Sequence, residues 1–250
     1  MAKFNIPTIF DEYIKGVTPI DVSCRSNSKT YYFNNGYYLK IDDIKELEKE
    51  FKMATIFHKL GIGSKPIKYI SIDDKDYLLT EEVKGKDLTK YLDNPYHLCQ
   101  VIAEALKKLH SIPTTGIPIS DRYTRYMDSL SKGIESGYFD PSCTLKGYKL
   151  SKEEAWDIMN KNKDKLKCET FIHGDACLPN IIEENDKFKA FIDTGLSGIG
   201  DKHIDIYWAL WSIEYNLNTS EYNNYFLELY GKDNYSWDIL MTIMAFEVFG

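Results

Sequence analysis

Apolar positions along this chain change their period near residue 85, and that change predicts two structural regions. Before it the pattern is short and alternating. Residues 21–24 and 30–33 flank a polar segment, and Asn34-Asn35-Gly36 ahead of the apolar run 37–41 is a hairpin signal. Between 43 and 60, Ile44, Leu47, Phe51, Ala54 and Phe57 recur at three- and four-residue steps and Gly61 follows, which predicts an amphipathic helix with a glycine stop. Residues 66–72 and 77–80 read as two more strands around a turn at 73–76. One helix laid across a small antiparallel sheet follows from that order.

Past Glu81-Glu82-Val83-Lys84-Gly85 the period becomes helical. Helices are predicted at 98–110, 121–134, 151–162, 204–215, 220–230 and 237–249. Ser151-x-x-Glu154 has the spacing of a capping box. Short strands at 171–172, 181–182 and 188–192 interrupt them. The expected class is therefore α+β in two lobes, 1–82 and 83–250, the second larger and mainly helical.

Composition narrows the function classes. The chain has 250 residues, is 43% hydrophobic and 28% charged, and carries a formal charge of −7. That sign argues against nucleic acid as a partner. No apolar run approaches the ~20 residues of a membrane span, and the N-terminus lacks the apolar stretch of a secretory signal. Five Cys without a Cys-x-x-Cys pair fit reduced thiols in a cytoplasm. Residues 201–250 hold eight carboxylates against two Lys, a net of −6, and such a surface would concentrate cationic ligands.

The chemistry gathers in His173-Gly174-Asp175-Ala176-Cys177-Leu178-Pro179-Asn180 and Ile192-Asp193-Thr194-Gly195. Phosphoryl transfer needs a carboxylate to orient the attacking hydroxyl and oxygen ligands for the Mg²⁺ that bridges the phosphates. Asp175 is the expected catalytic carboxylate, and Asn180 and Asp193 are the expected metal ligands, at the offsets of a kinase catalytic loop and its Asp-x-Gly. Asp193 follows the apolar pair Phe191-Ile192, with Gly195 placed to turn the backbone away. His173 reads as a structural hydrogen-bonding residue that fixes this loop.

A kinase also needs a cation on the nucleotide phosphates. Lys40, at the end of the third predicted strand, is the candidate. Glu50 is its expected ion-pair partner because it borders the stripe Leu47, Phe51 and Ala54, while Glu46 and Glu48 fall further round the helix and compete with it. Residues 23–29 offer Ser hydroxyls and backbone N–H groups to the phosphates.

The motifs just quoted, with Gly200-Asp201-Lys202-x-x-Asp205-Ile206, resemble the aminoglycoside phosphotransferases, most closely their 3′-phosphotransferase branch, over the full chain. The resemblance implies a bilobal protein-kinase-like fold, Mg²⁺, and ATP or GTP as donor. It implies adenine contacts near Tyr38, Glu81 and Val83, phosphate cover from Ser26 and Asn27, and support of the catalytic loop by Asp205. It also implies a small polyamine acceptor, for which Glu153, Glu154, Asp157 and Glu247 are the expected carboxylates, in a monomer or weak dimer. Three positions depart from the branch: Leu196 and Trp211 stand where it usually has Arg, and Phe246-Glu247 keeps one acid of a pair. The phosphoryl-transfer parts are complete and the acceptor side is altered. Two other readings follow: a kinase of another small alcohol, of the choline, homoserine or methylthio-sugar type, and a nucleotide-binding protein without catalysis.

Overall fold

The computed structural model describes residues 6–23, 28–133 and 138–250. The chain divides into two compact units, Met1–Lys84 and Gly85–Gly250. Unit one contains α1 (Asp11–Ile14), β1 (Pro19–Asp21), β2 (Lys29–Phe33), β3 (Tyr37–Asp43), α2 (Glu48–Lys59), β4 (Pro66–Ile72) and β5 (Lys75–Glu81). Its strands form one antiparallel sheet in the order β1-β2-β3-β5-β4.

Alternation along the strands sorts the two faces of this sheet. Phe33, Leu39, Tyr77 and Leu79 point to one face and pack with Phe10 and Ile14 from the N-terminal segment. Lys40, Leu78 and Tyr69 stand opposite one another in register on the other face. There the ring of Phe51 in α2 stacks on Tyr69 with centroids 5.7 Å apart.

Three sequence expectations change here. The sheet carries a second helix: α1 and the 3-10 turn Thr8–Phe10 before it are too short to show a period. α2 begins at Glu48 rather than 43, because Asp42 and Asp43 extend β3 by pairing with Asp76 and Lys75. Ile44 is 45% exposed, and the stripe that α2 buries is Glu50, Met53, Ala54 and Phe57. Finally, the turn before β5 is Asp73-Asp74 alone. Both have positive φ, 50° and 59°, as a two-residue hairpin loop demands, and Asp and Asn tolerate that conformation better than most residues. Asp76 belongs to β5 and is fully buried. Its carboxylate accepts the Leu47 N–H at 3.0 Å and so anchors the approach to α2.

Unit two contains β6 (Lys86–Asp87), α3 (Pro95–His110), α4 (Asp121–Lys132), α5 (Lys152–Asn162), β7 (Thr170–Ile172), β8 (Ile181–Glu184), β9 (Lys187–Phe191), β10 (Gly198–Gly200), α6 (His203–Leu217), α7 (Asn223–Tyr230) and α8 (Trp237–Glu247). Pro95 opens α3 at a position that needs no donor, and Asn94 caps it through the His97 N–H. Eight α3 residues from Leu98 to Leu109 are buried, so this helix runs through the unit's core. Each large apolar side chain buried in this way contributes ~1.5–3 kcal/mol. Ser151 and Glu154 form the expected capping box at the start of α5. β8 pairs with β6 and β9, and β7 with β10. β6 and β10, two and three residues long, gave no pattern to read. Among the described residues no helix is long and apolar enough to cross a membrane.

Candidate active site

The loop after β7 carries His173, Gly174 and Asp175, and a buried carboxylate holds it from beneath. Asp205, in the first turn of α6, accepts the main-chain N–H of His173 at 2.8 Å and that of Gly174 at 2.7 Å. His110 Nε2 lies 3.0 Å from the same carboxylate, and its Nδ1 lies 2.8 Å from the Tyr230 hydroxyl. Gly174 has φ 82°, and a Cβ there would stand 2.3 Å from the Leu196 carbonyl oxygen. Only glycine fits. The His173 ring is fixed as well: Nδ1 accepts the Asp175 N–H at 3.2 Å, so Nε2 carries the proton and donates it to the Ile192 carbonyl at 2.9 Å.

That last bond ties the Asp175 loop to the Asp193 segment, and Asn180 ties them again. Asn180 closes a 3-10 turn, Leu178–Asn180, that leads into β8. Its Nδ2 donates to both the carbonyl and the carboxylate of Asp175, each at 3.0 Å, while its own carbonyl accepts the Ile192 N–H at 3.0 Å. With Nδ2 committed, the Asn180 Oδ1 accepts no hydrogen bond from the described residues and remains a neutral oxygen donor. The second oxygen of Asp175 accepts from the Cys177 thiol at 3.2 Å. Burial, and then the charge of Asp175, push the Cys177 thiol well above its ordinary range, so it stays a donor.

Asp193 follows β9 and is exposed, with φ 55°. The left-handed residue that re-aims the chain is therefore Asp193 itself, and Gly195, expected to make that turn, has no positive φ. Asp enters this left-handed region more readily than most residues, as it does at Asp73 and Asp74. Asn180 and Asp193 together offer an amide and a carboxylate oxygen, a hard donor set that fits Mg²⁺.

In unit one Lys40 Nζ meets Glu50 Oε2 at 2.8 Å, with both side chains largely covered. The competing acids are elsewhere: Glu48 pairs with Lys52 at 2.6 Å, and Glu46 sits exposed in the turn before α2. Tyr38 packs on Tyr32 with ring centroids 4.9 Å apart, and Glu81 pairs with Lys65 at 2.8 Å. Val83 lies half-buried just beyond β5. Ser26 and Asn27 lie outside the described residues.

The expected acceptor carboxylates divide. Glu153, Glu154 and Asp157 are exposed on α5, with Glu154 engaged in the capping box. Glu247 does not face solvent: it is 2% exposed and accepts from Arg122 Nη1 at 2.9 Å, Trp208 Nε1 at 2.7 Å and the Tyr126 hydroxyl. Nor do residues 201–250 present eight free acids. Asp201, Asp205, Glu214 and Glu247 are all buried and occupied by internal donors. Helices packed within a core consumed half of the charge that sequence counting placed on the surface.

Arg122 is the residue that sequence reading missed. It is 8% exposed, donates from Nε to the Gly174 carbonyl at 2.7 Å and lies over the Trp208 ring, 4.9 Å from its centroid. Burial disfavours its charge, but Glu247 more than offsets this, with help from Tyr126 and Asp175, and its pKa stands above the ordinary value. The signal was present: Arg122 and Tyr126 are four apart on the inner face of α4. Ser120 completes this support by donating to the Leu196 carbonyl at 2.6 Å. Trp211, the other position that departs from the branch, donates to the Ser142 carbonyl and stacks on Tyr215.

The model of the phosphotransferase enzyme family matches residues 18–240. A probable aminoglycoside 3′-phosphotransferase of Lactococcus lactis subsp. lactis is 38% identical over 221 residues, covering 86% of this chain and 83% of that protein. An aminoglycoside 3′-phosphotransferase of Salmonella typhimurium is 30% identical, covering 72% and 68%. The aminoglycoside phosphotransferase APH(3'')-Id of Streptomyces rimosus, solved with ADP and streptomycin, superposes with a TM-score of 0.73 at 17% identity over 97% of each chain. The fold is shared at that distance.

Proposed function

The chain belongs to the phosphotransferase enzyme family, and on that premise we propose that it transfers the γ-phosphate of ATP or GTP to a hydroxyl of an aminoglycoside. The observation that carries the proposal is the Asp175–Asn180 bridge and its double tie to Ile192, next to Asp193. The names of the relatives favour the 3′-hydroxyl as acceptor.

In this reading the Asp175 carboxylate orients the acceptor hydroxyl and takes its proton as the new O–P bond forms. The bond from the γ-phosphorus to the bridging oxygen breaks, and the nucleoside diphosphate leaves. The Asn180 amide and Cys177 thiol hold the carboxylate in place, and His173, Asp205 and Arg122 hold its loop. Lys40, kept in position by Glu50, pairs with the nucleotide phosphates. Ser26 and Asn27 cover them, and Tyr38, Glu81 and Val83 meet the base. Asn180 and Asp193 would hold Mg²⁺, which when bound would supply positive charge against that gathering on the phosphates. Glu153, Glu154 and Asp157 are the carboxylates left to meet a polyamine. With Glu247 committed internally and two Arg positions replaced, we expect a narrow set of accepted drugs. The enzyme would act in the cytoplasm, where its nucleotide is.

The test is nucleotide turnover by the purified chain with a panel of structurally distinct aminoglycosides, and with choline, homoserine and a methylthio-sugar as controls. Stimulation by an aminoglycoside supports the proposal. Stimulation by a control alcohol alone would reassign the acceptor, and nucleotide binding without turnover would remove catalysis.

A further inference from the structure

Unit two contains a group of ligand atoms that the phosphoryl-transfer reading leaves unused. His97 lies in the first turn of α3, Glu183 on β8, and Asp186 in the turn between β8 and β9. One donor atom from each falls within 4.8 Å of the others. His97 Nε2 and Glu183 Oε2 are sealed from solvent, and neither has a hydrogen-bond partner among the described residues. Glu183 is 2% exposed, and no Lys or Arg pairs with it among those residues. One oxygen of a buried carboxylate and a buried imidazole nitrogen, each left without a hydrogen-bond partner among the described residues, are a costly arrangement unless something bonds to them.

The surroundings fix these donors in place. The Asn94 side chain accepts the main-chain N–H of His97 at 3.3 Å, which caps the start of α3, and the Tyr91 ring meets the imidazole edge-on, with centroids 5.5 Å apart. The Asp186 N–H donates to Glu183 Oε1, so the other carboxylate oxygen is the one left over. Asn185 and Asp186 have φ 56° and 63°, the left-handed pair of a tight hairpin, which sets Asp186 beside Glu183. Asp186 is exposed, so an ion could enter from solvent.

We propose that His97, Glu183 and Asp186 bind a divalent first-row transition ion, Zn²⁺ above the others, with water as the fourth ligand. One imidazole nitrogen and two carboxylate oxygens suit Zn²⁺, whereas Mg²⁺ prefers an all-oxygen octahedron. Donors around a tetrahedral Zn²⁺ bonded at ~2.0–2.1 Å stand roughly 3.4 Å apart, so atoms within 4.8 Å of one another close the site by shifts of at most about 1.4 Å, and the exposed Asp186 side chain has the most freedom to move. The ion would clip the start of α3 to the β8–β9 hairpin. β8 begins directly after Asn180, and β9 ends two residues before Asp193, so the clip would steady the hairpin that carries both.

The experiment is calorimetric titration of the chelator-treated full-length chain with Zn²⁺, alongside H97Q, E183Q and D186N, with circular dichroism to establish that each variant folds. Wild type should bind one Zn²⁺ per chain, at least tenfold more tightly than H97Q or E183Q, and its melting temperature should rise with Zn²⁺. D186N keeps the turn conformation and should weaken binding without loss of fold. D193N should leave this Zn²⁺ affinity unchanged. Absence of stoichiometric binding, affinity undiminished in H97Q and E183Q, or affinity lost in D193N instead would overturn the proposal.

Discussion

Glu247→Gln separates a structural carboxylate from one that meets the acceptor. Gln keeps an oxygen for the Tyr126 and Trp208 donors but sets an amide N–H against Arg122 Nη1, whose present contact with Glu247 is 2.9 Å. Arg122 is 8% exposed, so its guanidinium has little access to water in place of the lost partner. Removing one partner of a buried ion pair costs ~3–5 kcal/mol, a large part of a total stability of ~5–15 kcal/mol. The folded-to-unfolded ratio should fall by roughly two to nearly four powers of ten. Urea unfolding followed by tryptophan fluorescence reads this directly, since Trp208 is in the cluster. Arg122→Met should cost a similar amount. The double variant should be milder than the sum by ~1 kcal/mol or more, because it leaves no lone buried charge. kcat should fall with either change, since Arg122 holds the Gly174 carbonyl beside Asp175. An additive cycle with each single loss below ~0.5 kcal/mol, or a raised acceptor KM at unchanged stability, would refute the structural role.

Asp175→Ala should lower kcat by at least ~10²–10³ and leave nucleotide affinity nearly intact, and retention of more than about a third of turnover would sink its role. Lys40→Ala should raise the nucleotide KM about tenfold or more, and Glu50→Gln should raise it less; an unchanged KM in both would remove the pair from the nucleotide site. Acid stability should depend on Asp201. Burial alone would raise its carboxyl, but the hydrogen bond and charge of His203, with the Lys167 and His203 N–H groups, depress it below 3.8. A depressed carboxyl stabilises the fold above that value and loses its contribution as pH falls beneath it. Asp201→Asn should therefore lower stability at neutral pH and flatten the loss below about pH 4; an unchanged acid limb would contradict this.

What was legible in the sequence was whatever is local. Asp175, Asn180 and Asp193 fall in two short motifs, and the long helices of unit two declare themselves by period. Glu50 was picked out from Glu46 and Glu48 by its place on one helix. The unread parts are pairings between distant residues. Arg122 meets Glu247 across 125 positions and His110 meets Asp205 across 95, and no local period marks either. Counting acids over 201–250 likewise could not separate a solvated carboxylate from one capped by buried N–H groups. α1 went unseen because four residues make only one turn.

Phosphoryl transfer through Asp175 can be read by incubating the purified chain with Mg²⁺, ATP or GTP, and single aminoglycosides, and measuring product mass for wild type and Asp175→Ala. At least one aminoglycoside with a free 3′-hydroxyl should gain one phosphoryl group with wild type and almost none with the variant. No mass gain on any aminoglycoside while another small alcohol is phosphorylated, or equal gain with Asp175→Ala, would contradict it.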